Sequence, residues 1–419
     1  MSQWLDQVIE RGQAIDDWLS PVRTQALESL RQSQWPNRRT EAWKYTSLTP
    51  VEKLELSPTT AADNAAVSDI DGLNSLNLVF VDGKLVTDID NLPLPAGLHI
   101  HSLRAMPASL QETARELFGT IKPPRHLFGL VNDALAEDGL FIDIDAGAHI
   151  ERPLRLVNFS SAGKESHHRV LVRLGTGSTA TVIEHGQGHD SSMSTGFAEY
   201  ELGEKAHLEH YRLAMHTHQA IHIGGCHFSL HQESRLNSTL IGFGSQLSRL
   251  DVDIIHSGEH AKAKFNAVYL LGESEHFDLH STIEHAVPNG TTEENARGII
   301  GDKAKAVFNG RIHIHRDAQK TLAELNNRNL LLSRRGQINT KPELEIYADD
   351  VQCAHGATVA EIEEEALYCL RSRGISRSQA LVMLNFGFIQ ELVNQMPNQA
   401  LAQWLQPQLR DRFVEMEVK

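Results

Sequence analysis

One phrase recurs through the middle of the chain and limits what it can fold into. Gly203-Glu-Lys-Ala-His-Leu-Glu is echoed by Gly258-Glu-His-Ala-Lys-Ala-Lys and by Gly301-Asp-Lys-Ala-Lys-Ala-Val, with a looser copy at Gly177-Ser-Thr-Ala-Thr-Val. The glycine, free to adopt positive φ, marks a turn. A short strand follows, with an alanine expected to point inward where neighbouring backbones would crowd a larger side chain. The copies are irregularly spaced, so this is no strict short-period array. A solenoid with rungs of unequal length satisfies the pattern, and so does a large β-sandwich. From Leu140 to about Asp349 the chain therefore reads as many short strands punctuated by glycine.

Both flanks read differently. Residues 1 to about 50 are expected to be helical: Trp4, Val8 and Ile9 share a face, and Ile15, Trp18 and Leu19 continue the pattern until Pro21 breaks it. A second helix covers Val22 to Gln32. Thr49 to Asp71, rich in Ala, Thr, Asp and Asn, reads as a linker. Leu76 to Val86 reads as a hairpin about Asp82-Gly83, and short helices are expected at Leu110–Phe118 and His126–Leu135. Near the other end, Ser376 and Gln379 have capping-box spacing. The helix they open carries the stripe Leu381, Leu384, Phe388 and Leu392, and Pro397 ends it. A last helix, from about Asn398 to Met416, carries Leu401, Trp404, Leu405 and Leu409. Short helices bury little alone, so these must dock on something.

The stretch Lys341–Gly374 changes period halfway along. Leu344, Ile346 and Ala348 share one parity, as in a half-buried strand. After Ala360, the spacing of Ile362, Ala366, Leu367 and Leu370 is helical. Glu363 to Glu365 suit the positive end of the helix dipole, and Gly374 is a natural stop. The handover carries Cys353-Ala354-His355. If the strand continues that far, the thiol and the imidazole face the same way, because side chains alternate. They would be two plausible ligands for iron or zinc, with the remaining ligands coming from another surface. Equally, a small thiol beside a strand-end histidine is ordinary packing.

Composition narrows the function. The 419 residues carry a formal net charge of −15, which argues against nucleic-acid binding. No apolar run approaches the roughly 18 residues of a membrane span, and the N-terminal residues lack a secretory pattern. Three cysteines, Cys226, Cys353 and Cys369, make no disulfide framework and suit a reducing, cytoplasmic setting. Neither G-x-x-x-x-G-K-[ST] nor a strand-led G-x-G-x-x-G is present, so the chain is expected to bind no nucleotide itself. G-x-S-x-G and H-E-x-x-H are also missing. The pairs His99/His101, His216/His218 and His313/His315 are read as solvated strand faces, with Ile312 and Ile314 turned to the core. Cys226 is read as structural, on the face opposite His227, and Cys369 as a packing residue.

Taken together, the runs LEIYADDVQCAHGATV (Leu344–Val359), LRSRGIS (Leu370–Ser376), DKAKAVFNG (Asp302–Gly310), LNNRNLLLS (Leu325–Ser333) and RRTEAWKYTSL (Arg38–Leu48) resemble the SufB/SufD family of iron–sulfur cluster assembly scaffolds. The RRTEAWKYTSL run, Gly356 after the signature histidine and the low cysteine count point to the SufD branch. The resemblance implies a right-handed parallel β-helix core at 140–359, between an N-terminal helical region with a hairpin (1–139) and a C-terminal helical domain (360–419). It implies a non-catalytic subunit that pairs with a SufB-like paralogue, or with itself when isolated, and binds a SufC-like ATPase through the C-terminal helices. It assigns His355, and secondarily Cys353, to a nascent iron–sulfur cluster at the interface with the paralogue. The rival readings are a SufB-like or homodimeric scaffold carrying the whole cluster, and a β-helix enzyme acting on polysaccharide.

Overall fold

In the computed structural model, residues 2–55, 57–58, 67–188, 190–361 and 364–416 are described. The chain passes back and forth between two ten-stranded sheets, each built from alternate strands. From Asp138–Ile144 to Gln337–Ile346 in the first sheet, and from Leu154–Phe159 to Gln352–Glu361 in the second, every neighbouring pair is parallel. This is a β-solenoid of about eight turns with helices at both ends, not a sandwich. The rungs are unequal: the register step is shortest from Ile221 to Leu247 and longest from Lys305 to Gln337.

The recurring phrase forms the corners, though not as the glycine rule suggests. Ala206, Ala261 and Ala304 are fully buried in the solenoid core, as expected. Positive φ, however, falls on Lys205, His260 and Asp302 rather than on Gly203, Gly258 or Gly301; only Gly177 in the loose copy takes it. Gly203 and Gly258 serve close approach instead. A Cβ there would lie 2.7 Å from the Leu174 carbonyl oxygen and 2.0 Å from the Gln232 backbone nitrogen, both on the preceding rung.

Both outer faces of the solenoid are covered, so most strands are buried on two sides. On the first sheet, Phe197, Ile221 and Leu247 pack against Trp4, Trp43, Phe128 and Val131 of the N-terminal region. On the second, Tyr211, Ile241, Val268 and Ile299 pack against Leu381, Leu392, Leu405 and Phe413 of the C-terminal helices. Those helices are Glu364–Arg371, Arg377–Asn394 and Gln399–Glu415, the middle one opened by the Ser376/Gln379 capping box. Gly374, at φ +82°, makes the turn between the first two.

Several expectations need correction. Pro21 begins a helix, Ser20–Gln32, instead of ending one; its missing N–H costs nothing in a first turn. The first helix stops at Gln13, before Ile15, Trp18 and Leu19. The linker contains a helical turn, Thr49–Glu52, and Ser57–Pro58 pairs with Lys164–Glu165; positions 56 and 59–66 lie outside the described residues, as do Ile362 and Glu363 at the start of the Lys341–Gly374 helix. Leu384 is 39% exposed despite its place in the stripe. Cys369 is exposed and not a packing residue. The hairpin at Asp82-Gly83 forms, with positive φ at both residues.

Candidate functional site

The single strand read through Leu344 to His355 is two strands in different sheets. Gln337–Ile346 closes the first sheet and Gln352–Glu361 the second, with a corner between them. Cys353 and His355 both lie on the second strand and share a face. Cys353 is the register partner of Ala323, and His355 of Leu325, each fully buried and pointing into the core. The two side chains thus continue the inward column of the solenoid onto its last rung. Among the described residues no further rung follows, so Cys353 is only partly buried and His355 is exposed.

The surroundings set the chemistry. Burial pushes the Cys353 thiol up from its ordinary value, so a metal must displace its proton before it ligates. Gly356 does not adopt positive φ, and a Cβ there would meet only Asn326 Oδ1, at 3.4 Å. Ile346 and Val359, which lie on the same rung, are 40% and 47% exposed. The arrangement offers a thiol and an imidazole side by side on the inward column of a rung that no described residue covers.

Other sequence candidates fall elsewhere. His313 and His315 lie on the outer face, stacked at 4.6 Å, with Ile312 and Ile314 in the core. His99 is exposed beside Asp145. His216 corrects the surface reading: it is fully buried and stacked on His222 at 4.2 Å, because its strand is covered on both sides.

Inside the middle rungs is a polar cluster that the sequence reading missed. Glu184 accepts hydrogen bonds from Tyr200 OH at 2.8 Å and Cys226 Sγ at 3.3 Å, contacts His210 Nε2 at 2.9 Å, and is paired with Arg212. Burial opposes the charge on Glu184, but Arg212 and His210 outweigh it and hold the carboxyl far below its usual range. Burial and Glu184 drive the Cys226 thiol strongly upward. Cys226 is therefore a protonated donor facing inward, opposite His227, as its structural reading requires.

Comparison with known proteins identifies the family. The SufBD protein N-terminal region family matches residues 5–156, and the family described as SUF system FeS cluster assembly, SufBD core domain, matches residues 157–388. The chain is 30% identical over 411 residues to the iron-sulfur cluster assembly protein SufD of Escherichia coli (strain K12), covering 94% of this chain and 93% of that protein. It is 28% identical over 401 residues to an iron-sulfur cluster assembly SufBD family protein of Synechocystis, covering 91% and 88%. A parallel β-solenoid with helical ends, matched from residue 5 to residue 388 by the two SufBD families, makes this chain a SufD-like member of the SufB/SufD family of iron–sulfur cluster assembly proteins.

Proposed function

We propose that the chain is a non-catalytic scaffold subunit of a cytoplasmic SUF complex, and that a nascent iron–sulfur cluster is its cargo. The uncovered last rung pairs with a SufB-like paralogue, whose own ligands complete the set begun by His355 and Cys353. The single observation that carries this reading is the exposure of His355 on the inward column of an open solenoid end. Edge strands with unpaired backbone groups favour partner addition. Neutral imidazole is an established iron–sulfur ligand.

A SufC-like ATPase binds the C-terminal helices, which leave Tyr368 75% and Met383 63% exposed after docking on the solenoid. The partner supplies the nucleotide chemistry for which this sequence has no loop. Residues 1–139, 140–359 and 360–419 divide the work into cover, scaffold and docking.

The test is a His355→Ala chain co-expressed with its SufB- and SufC-like partners, purified anaerobically and assayed for iron and sulfide. An intact complex with most of its cluster lost is the expected outcome. An intact complex with normal iron and sulfide reduces His355 to packing and leaves the subunit purely architectural.

A further inference from the structure

A second group of donors lies far from the open end, where the N-terminal region crosses the first sheet. His227 and Asp253 are register partners on adjacent strands. Both point outward, since Cys226 and Val252 beside them belong to the core. His126 comes from the start of the helix Leu127–Leu135, which lies over this face. Asp253 Oδ2 is 2.7 Å from His126 Nε2 and 2.8 Å from His227 Nδ1. The side chains of Asp253, His227 and His126 are 3%, 0% and 10% exposed. A cavity of about 140 Å³ reaches His126 and Asp253 from outside.

We propose that His126, His227 and Asp253 form a binding site for a divalent first-row transition metal, with ferrous iron the ion its donor set suits best. Two imidazoles and one carboxylate are the donors of facial iron(II) sites, which leave positions open for water or an incoming ligand. The three donor atoms already lie within 4.8 Å of one another. Metal uptake needs each imidazole to turn a lone pair, rather than an N–H, toward the centre, and the donors to part by a few tenths of an ångström. His227 Nε2 has no hydrogen-bond partner, so the ring's one described polar contact is the one to Asp253.

The local charge favours a cation. Asp251 lies 3.7 Å from His126 Nδ1 and can steady that ring from behind. Arg249 pairs with Asp251 and Asp278, and Arg125 pairs with the other oxygen of Asp253. Three carboxylates against two guanidiniums leave a net negative charge. The Glu184, His210 and Cys226 group is a poorer candidate, because it lies inside the sealed core with its carboxylate held by a buried arginine, Arg212, whereas the Arg125 side chain on Asp253 is 50% exposed and free to swing away.

The proposal is tested on the isolated full chain, which needs no partner, so its failure and that of the His355 prediction are separable. The background carries Cys353→Ala, His355→Ala, His313→Gln and His315→Gln to silence the other donors. Titration with cobalt(II), followed by calorimetry and visible absorption, is expected to show one site per chain. Asp253→Asn keeps the shape but removes the charged ligand, and should weaken binding by more than the ~10–100-fold typical of losing an outer-shell partner. His126→Gln, at the rim, gives the same readout should Asp253→Asn fail to fold. The proposal is overturned if the background chain takes up no cobalt, or if a folded variant binds it as tightly as the background chain.

Discussion

The two ends of the solenoid meet the same problem and treat it differently. At the N-terminal end each sheet finishes in an antiparallel pairing: Lys84–Leu85 on Leu76–Val81, and Leu98–Ser102 on Asp138–Ile144. Leu85, Ile89, Leu92 and Leu94 pack on the core at the first rung, and Leu78 and Phe80 are sealed inside. At the other end the same inward column finishes in Cys353, His355 and Val359 with nothing described above them. A solenoid can evidently be closed with a short hairpin and a few leucines, and among the described residues the other end has no such closure. Bare strand edges are a liability in a free protein. Their retention beside an exposed imidazole and a half-buried thiol is explained if the missing cover is another subunit.

The sharpest test of that contrast is truncation of the inward column at each end. Phe80→Ala removes a ring that is 1% exposed and should cost roughly 3–5 kcal/mol of stability. Val359→Ala, on the open rung, should fall within about 0.5 kcal/mol of wild type. Chemical denaturation of the isolated chain at two protein concentrations measures both. A large, concentration-dependent cost at Val359 would break the comparison, because it would mean that the end is already covered by a second copy.

Two buried glutamates sharpen the contrast through pH. Toward the open end, burial pushes Glu294 up to about 7, opposed only by the Ser281 hydroxyl. Its carboxyl is better protonated when folded, so the associated stability is complete below the unfolded value of 4.5 and lost as pH rises through about 7. The shift corresponds to about 3 kcal/mol. Toward the closed end, burial opposes ionisation of Glu165, but His167 and Arg11 outweigh it and bring the carboxyl down to about 2. That stability is present above 4.5 and lost as pH falls through about 2. Glu294→Gln should therefore exceed wild type in urea midpoint at pH 8 and show no advantage at pH 4. Glu165→Gln should be less stable than wild type at pH 7, the gap closing toward pH 2. An unchanged Glu294→Gln midpoint at pH 8 would mean that the buried carboxyl already has a partner that neutralises its charge.

Much of this was legible in the residues, for reasons that are local. Turn phrases, inward alanines, a capping box and a glycine stop each act over a few residues, and each appears where expected. The alternation that puts Cys353 and His355 on one face is equally local. What depends on rung register was not legible. Glu184 meets Arg212 because they are register partners one turn apart, and sequence spacing reveals such a pair only once the rung length is known. His216 looked like a surface residue because its spacing from His222, six residues on, does not show that strands of two different sheets bring the rings together. His126 meets Asp253 because a helix from the N-terminal region crosses a strand laid down much later in the chain, which is tertiary information. The glycines of the turn phrase were placed correctly and explained wrongly: at Gly203 and Gly258 the preceding rung, not the local φ, forbids a side chain.

That last distinction yields the smallest and most discriminating comparison. Gly258→Ala would drive a methyl into the Gln232 backbone, which cannot move aside as a side chain can, and should cost about 1–3 kcal/mol. Gly356→Ala meets only the end of the Asn326 side chain at ordinary contact distance, with no positive φ to preserve. It should stabilise the isolated chain by about 0.4–1 kcal/mol, through the restricted unfolded state alone. The two substitutions are chemically identical and differ in what lies over the glycine, so their denaturation midpoints should move in opposite directions. If Gly356→Ala is instead destabilising in the isolated chain, something already lies over the last rung, and the asymmetry between the ends is one of partners already bound rather than of a surface kept open.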